Sequence, residues 1–296
     1  MAYTLSNLLQ DVFSKLGKLN VSLATGGSDT TIIDTKLIDL GADDEWKDGI
    51  AFVIRDSAGA NGAPEGEFNR ISGYKNATGV FTVDTAFTTA SGSGDTYGYV
   101  NSELELQQAI MLANEGLQLL GDIPRIDTTT LDTANNQTEY AMAVAWKRRP
   151  FRVDIQGRTD DANDNRWVTA YNWEYIVAAP GSTGLIVFDM QHVSSRDIRV
   201  WYMDSHPLLN AYSDVVYEPI QPELAAHAAY LTTLRYMNGL RRGKDDYLRE
   251  QLNKAEVELD RLMAKFTVEK PGVKPKYKFT NLRDEIVDRW KPVADI

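Results

Sequence analysis

An α+β fold is what the sequence predicts, and three observations predict it. Four stretches, near residues 4–16, 102–120, 222–238 and 244–266, place apolar residues at helical spacing. Two others, 19–100 and 139–204, consist of short runs rich in β-branched and aromatic residues, separated by turn formers. Residues 267–296 fit neither pattern. The expected architecture is a helical bundle core carrying an inserted small β-barrel or sandwich, a second antiparallel β region and an extended C-terminal arm. The domain division follows. Residues 1–18 and 101–138 form the first part of the helical core, and 19–100 the inserted β domain. Residues 139–221 form the antiparallel β region, 222–266 the second part of the core, and 267–296 the arm.

In the first helix Leu5, Leu8, Leu9, Val12, Phe13 and Leu16 follow the helical period, with Thr4 as cap and Gly17 at the C-terminal glycine position. The inserted domain shows the runs TTIID, IAFVIRD, EFNRISGY, GVFTVDTAF and DTYGYV between turn clusters such as TGGSD and ASGSGD. In the second helix Ser102 and Glu105 read as a capping box, and Leu106, Ile110, Ala113, Leu117 and Leu120 as the buried stripe up to Gly121. Residues 122–138 then read as a long polar connection. YAMAVAW, PFRVDIQGR, WVTAYNWEYIVA, GLIVFDM and DIRVWYM read as strands. Pro222 opens the third helix at the favoured first position, and Ala225, Ala226, Ala228 and Ala229 permit close packing. In the fourth, Leu248, Leu252, Ala255, Leu259, Leu262 and Phe266 make one apolar seam on a charged helix. EKPGVKPKYKF, with its prolines and lysines, reads as an extended arm, and 281–290 as a short helix capped by Asn281.

Composition bounds the function. Acidic residues outnumber basic ones 42 to 31, a formal charge of −11, which argues against general nucleic-acid binding because phosphate affinity rests on Lys and Arg. The absence of cysteine excludes disulfides, thiolate chemistry and Cys-based metal sites. No basic and apolar leader is read at the N-terminus, and no apolar run approaches the roughly 20 residues needed to span a bilayer. A soluble protein assembled in a cytoplasm is expected.

The candidates for chemistry read more simply as structure. Asp204, Ser205 and His206 supply an acid, a hydroxyl and an imidazole, but neighbours on an extended chain point to opposite faces, and no G-x-S-x-G elbow surrounds the serine. They read as a turn before Pro207. His192 lies in a turn. His227, with Glu223 and Leu231 four residues to either side, lacks a second metal ligand at helical spacing other than one glutamate. The acidic run at 159–167 lacks the order of a calcium-binding loop, and neither glycine-rich stretch matches a phosphate-binding loop. WKRRP and GLRRGK are small basic patches. Trp167, Tyr171 and Trp173 can stack on sugars if exposed, although aromatics in strands usually serve the core. No catalytic residue, metal site or cofactor is assigned, and no enzyme is expected. On the arm, Tyr277, Phe279, Leu282, Ile286 and Trp290, with Lys274 and Lys276, need either a partner or the protein's own domain to cover them.

The run from Gly184 through the helix beginning near Lys244 resembles the head–tail connector (adaptor, or tail tubular) proteins of tailed bacteriophages. The resemblance rests on the strand Val200–Tyr202, Pro207, Asp214, Pro219 or Pro222, Ala225–Ala229 and the long charged helix, together with the opening helix LSNLLQDVFSKLGK. It covers residues 1–17 and 102–266, while 19–100 looks like small β domains of virion proteins. The resemblance implies a structural virion protein of the phage neck, assembled in the host cytoplasm. It implies a homo-oligomeric, twelvefold ring between portal and tail proteins, whose lumen passes genomic DNA without reading it. It also implies that the arm, with Lys274, Lys276, Tyr277, Phe279, Leu282, Ile286 and Trp290, binds the portal. A fibre-attachment or tail-completion protein is the second reading, and a glycan-binding or hydrolytic β protein the third.

Overall fold

The computed structural model describes residues 2–59, 62–127, 133, 136–141, 150–156, 167–177, 184–192, 196–241 and 243–266. Among these the fold is mixed α+β, with four α-helices and antiparallel sheets: α1 (Leu5–Lys15), α2 (Leu106–Leu119), α3 (Pro222–Leu240) and α4 (Asp246–Lys265). The chain forms two compact units. One holds the described residues up to Gly121 and from His206 onward, and the other runs from Asp122 to Ser205.

In the first unit α1 begins with a reciprocal capping box. Thr4 Oγ1 accepts from the Asn7 amide at 3.4 Å, and Asn7 Oδ1 accepts from the Thr4 amide at 3.1 Å. Two further N–H groups of its first turn are satisfied from a distant segment, Leu5 by the carbonyl of Asp214 at 2.8 Å and Ser6 by that of Tyr212 at 3.3 Å. Gly17 leaves the helix at φ +67°, which a glycine adopts without strain.

The β module follows. β1 (Asn20–Leu23), β2 (Gly26–Gly27), β3 (Thr31–Ile33), β4 (Ile50–Arg55), β5 (Phe68–Lys75), β6 (Val80–Val83) and β7 (Thr96–Val100) make one antiparallel sheet in the order β1-β7-β4-β5-β6-β3-β2. The expected turn at TGGSD therefore contributes β2. The edges β1 and β2 are joined by Ala24 and Thr25, but no ladder among the described residues closes the sheet into a barrel. Its core is aromatic. Trp46 lies against Tyr74 at 4.3 Å and Tyr99 at 5.2 Å, and Phe81 against Tyr74 at 4.9 Å. Fully buried Asp34 takes hydrogen bonds there from the Tyr97 and Ser22 hydroxyls and the Lys36 amide. The module is also packed to its unit through Phe52, whose ring meets Phe13 of α1 at 6.1 Å.

The capping box expected at Ser102 does not form. α2 starts at Leu106 with Glu105 as its cap residue and no side-chain cap bond. The turn before it is spent otherwise: Leu104 is buried, and Glu103 pairs with Lys18 and, at 3.9 Å, with Arg241. Gly121 ends the helix at φ +79°. The alanine-rich α3 packs against α1, α2 and α4. Where α3 meets α2, Gly116 lies on the backbone of Ala229, and a Cβ placed on Gly116 would stand 2.5 Å from the Ala229 Cα. Thr232 Oγ1 bonds across the same contact to the Leu112 carbonyl at 2.8 Å. α4 is capped by Asp245, which accepts from the Leu248 amide at 3.1 Å, and buries Leu248, Ala255, Leu259 and Leu262.

The second unit holds β8 (Ile123–Asp127), β9 (Glu139–Ala141), β10 (Arg152–Gln156), β11 (Trp167–Ala170), β12 (Trp173–Ile176), β13 (Leu185–Phe188) and β14 (Ile198–Asp204). One sheet has the order β11-β10-β14-β8 and the other β12-β13-β9. Two sequence expectations are corrected. The supposed polar connection after Gly121 begins with β8, which pairs with β14 from Ile123↔Asp204 to Asp127↔Val200. Among the described residues β8 is the last strand of its sheet, and Pro124 stands opposite Met203 in that ladder. The supposed single strand WVTAYNWEYIVA is divided at Tyr171–Asn172 into β11 and β12, which belong to different sheets. The Asn172 carbonyl at that break accepts from the Asp189 amide at 3.1 Å. Tyr140, Val153, Ile186, Phe188, Val200 and Tyr202 are among the core residues. Asp154, almost fully buried, accepts from Arg152 Nε and Trp201 Nε1, each at 2.7 Å.

Candidate functional site

The acid, hydroxyl and imidazole straddle the end of β14: Asp204 is its last residue, no turn forms at Ser205 and His206 where the sequence suggests one, and the acid and the imidazole each have structural work. Asp204 accepts from the Ser205 amide at 2.8 Å and pairs with Arg125 at 3.5 Å. His206 is buried, with Nδ1 2.6 Å from the Pro207 carbonyl, while Nε2 accepts from the Tyr217 amide at 3.0 Å. An acceptor at Nε2 and a carbonyl at Nδ1 fix the neutral ring with its proton on Nδ1. Both nitrogens are engaged with backbone, so the imidazole presents no free base to a serine.

The same segment is tied down from two sides. Asn114 of α2 donates to the Leu209 carbonyl at 2.8 Å and accepts from the Leu209 amide at 2.8 Å. Asp214 closes the next turn, accepting from the Asn210 and Ala211 amides at 2.6 and 2.8 Å. Those two hydrogen bonds, Asn210 first, hold its carboxyl below the usual aspartate range. Neither the Asn114 clamp nor the hydrogen bonds of Asp214 are visible in sequence. One isolated asparagine among helical apolar positions gives no sign of a partner 95 residues away.

The other histidines also have neighbours. His227 Nε2 lies 2.9 Å from the Ala255 carbonyl, a satisfied histidine between α3 and α4. His192 stands edge-on to Phe188 at 4.8 Å, and its pKa is lowered by burial and then by Arg196. No group of three or more His, Asp or Glu among the described residues is placed to hold a metal ion. Among them, too, no helix is long and apolar enough to cross a membrane.

A cavity of about 340 Å³ in the second unit is lined by Ile155, Thr169, Tyr171, Met190, His192 and Arg196, among others. Its described lining contains no carboxylate, whereas glycoside hydrolysis generally needs two. Of the three aromatics that suggested sugar stacking, Trp173 packs against the core and Trp167 is covered by the Arg199 guanidinium 3.7 Å from its ring. Tyr171 alone of the three is exposed. The acidic run at 159–166, the patch at 146–149 and the arm residues Lys274, Lys276, Tyr277, Phe279, Leu282, Ile286 and Trp290 lie outside the described residues.

No family model, no curated protein and no solved structure matches the chain.

Proposed function

We propose that this protein is a head–tail connector of a tailed bacteriophage, a structural component of the virion neck and not an enzyme. One observation carries the reading: the order of β14, the Pro207 segment, the Asp214 turn, the alanine-rich α3 and the charged α4, with α3 packed against the other three helices. In this reading the four helices are the bundle core of each protomer, residues 19–100 are an inserted β domain, and 267–296 is an arm. Copies associate head to tail into a closed, twelvefold ring between the portal and the tail. The charge of −11 suits a lumen that repels the DNA backbone and lets the genome pass. The arm, through Lys274, Lys276, Tyr277, Phe279, Leu282, Ile286 and Trp290, binds the portal.

Negative-stain images of the purified protein with and without portal test the ring, and particles without rings in both conditions reject it. Deleting residues 267–296 is expected to abolish portal binding, and a truncated chain that binds portal as well as the full chain rejects the arm's role. Placement elsewhere in a virion reconstruction would favour a fibre-attachment or tail-completion protein. The glycan-binding alternative loses support from the covered Trp167 and the packed Trp173.

A further inference from the structure

The cavity of about 340 Å³ lies within the second unit, where the chain leaves β11 for β12. Its described lining is mostly apolar. Ile155 lies buried in it, and Val168, Tyr171 and Met190 stand around it 60, 46 and 56% exposed. Three large apolar side chains left exposed about one concavity mark a surface that another molecule covers. One cation faces them. Arg196 comes from the segment leading into β14, and its guanidinium makes a single hydrogen bond among the described residues, to the Gln156 carbonyl at 3.4 Å. Its Nε is buried without a partner among them. A buried donor without an acceptor is costly, and folded proteins keep few of them. His192 stands beside it, edge-on to Phe188, with neither ring nitrogen hydrogen-bonded among the described residues. Burial and then Arg196 lower its pKa, so the ring is neutral at neutral pH and has one N–H to give.

The charges nearby leave Arg196 uncompensated among the described residues. Asp189 and Asp197, next in sequence to Met190 and Arg196, are exposed and do not line the cavity. Asp154 of β10 is taken by Arg152 and Trp201, and Arg199 covers Trp167. Asp160, Asp161 and Asp164, with Arg158 and Arg166, lie outside the described residues. A lone guanidinium, a neutral imidazole and apolar walls select one ligand chemistry. An inorganic anion would leave the walls unused, a sugar would set hydroxyls against them, and a hydrocarbon would leave Arg196 unpaired. The volume suits one small molecule. We infer that this cavity binds a small molecule carrying a carboxylate on an aromatic body, the carboxylate on the Arg196 guanidinium beside His192 and the body against Val168, Tyr171 and Met190. Met190 favours an aromatic body because thioether sulfur packs well against rings. The site goes beyond the connector reading and is tested without portal or rings, so each stands or fails separately.

The full-length chain is titrated with phenylbutyrate and with phenylbutanol, which has the same body and no charge. Calorimetry gives the affinities, and the ring protons of His192 report the place. The chain has three histidines, and His206 and His227 are engaged with backbone elsewhere, so the shifting ring is assigned by its loss in His192→Gln. Phenylbutyrate is expected to bind with a Kd below about 1 mM, and about tenfold more tightly than phenylbutanol or acetate. Arg196→Gln is expected to bring the acid down to the affinity of the alcohol. Met190→Ala, at an exposed position, is expected to weaken both about threefold. Replacing Asp160, Asp161 and Asp164 together by Asn is expected to change the acid's affinity less than about threefold. Should Arg196→Gln fail to fold, the comparison of acid, alcohol and acetate on the unmodified chain still decides. Equal affinities for acid and alcohol, acetate binding as well as phenylbutyrate, or an unmoved His192 ring would overturn the site. So would a gain of about tenfold on removing the three aspartates, since the chain's own carboxylates would then hold Arg196.

Discussion

Asn114 and Leu209 exchange two hydrogen bonds, each 2.8 Å long, between a side-chain amide on α2 and the backbone of an extended segment. Both residues are buried, so the pair stands where water cannot replace it. Asn114→Ala strands the amide and carbonyl of Leu209 together. An unsatisfied buried group costs about 1–3 kcal/mol, so a loss of about 2–4 kcal/mol is expected in chemical denaturation. Asn114→Asp, protonated at low pH, keeps an acceptor and a single O–H donor in place of the amide's two N–H groups, and is expected to fall between Ala and wild type there. A loss below about 0.5 kcal/mol for Asn114→Ala would show that the segment is held elsewhere.

Gly116 gives a prediction whose sign runs against helix propensity. Replacing a mid-helix glycine by alanine ordinarily gains about 1 kcal/mol. Here the added methyl would meet Ala229 Cα at 2.5 Å and its backbone nitrogen at 2.6 Å, and backbone cannot turn aside as a flexible side chain can. Overpacking of this kind costs about 1–3 kcal/mol. Gly116→Ala is therefore expected to lower the thermal midpoint and Gly116→Val to lower it further. A stabilised Gly116→Ala would mean that α2 and α3 separate at little cost.

These two contacts mark how far the sequence is legible. The periodicities of α3 and α4 show which faces pack, and the alanines at 225, 226, 228 and 229 announce a close approach, because small side chains have no other use at that density on a buried face. They do not say that Gly116 is the residue approached, since a glycine inside a helix reads first as a weakness. β14 is legible because its β-branched and aromatic residues alternate, burying Ile198, Val200 and Tyr202. β8 is hidden by Pro124, which speaks against a strand unless the strand is known to lie at an edge, and edge position is a property of the sheet. Ser102 and Glu105 have the spacing of a cap but not its context, for the long-range pairing of Glu103 governs that turn. The end of β14 was readable from backbone alternation, although the strand includes Asp204 and residues 205–210 form no turn. The Asn114 and Asp214 bonds behind it were not, because hydrogen-bonding partners carry no periodic signal.

Among the carboxylates whose pKa is lowered, Asp95 and Asp214 are held by backbone amides of loops, and acid stability should reflect them. Burial opposes ionisation of Asp95, but hydrogen bonds from the Ser57 and Gly92 amides and the Ser57 hydroxyl outweigh it and lower its pKa. Asp214 is lowered by the Asn210 and Ala211 amides. A folded-state pKa below the unfolded value of about 3.9 means that the unfolded chain binds more protons in that range. The stability contributed is then complete well above pH 4 and is lost as pH falls through the folded values. Wild type is expected to lose stability steeply below about pH 4, and Asp214→Ala to show a shallower loss from a lower plateau. Parallel pH profiles for the two proteins would remove Asp214 from this account.

Asp154 tests the second unit. Its carboxylate is 1% exposed and takes one hydrogen bond from the Arg152 guanidinium and one from the Trp201 indole, while the same guanidinium lies 5.4 Å from the Trp201 ring centroid. The acid holds two neighbours on adjacent strands, since Arg152 pairs with Trp201 in the β10–β14 ladder. Removing one partner of a buried pair costs more than the pair contributes, because the groups left behind stay desolvated. Asp154→Ala is expected to cost about 3 kcal/mol, reduced somewhat because Arg152 is partly exposed and can turn to water. Asp154→Asn retains an acceptor for the indole and loses the charge, so a loss of about half that size is expected. Tryptophan emission during denaturant unfolding reads both, since Trp201 reports on this sheet. Equal losses for the two substitutions would assign the whole effect to the ion pair and none to the indole bond.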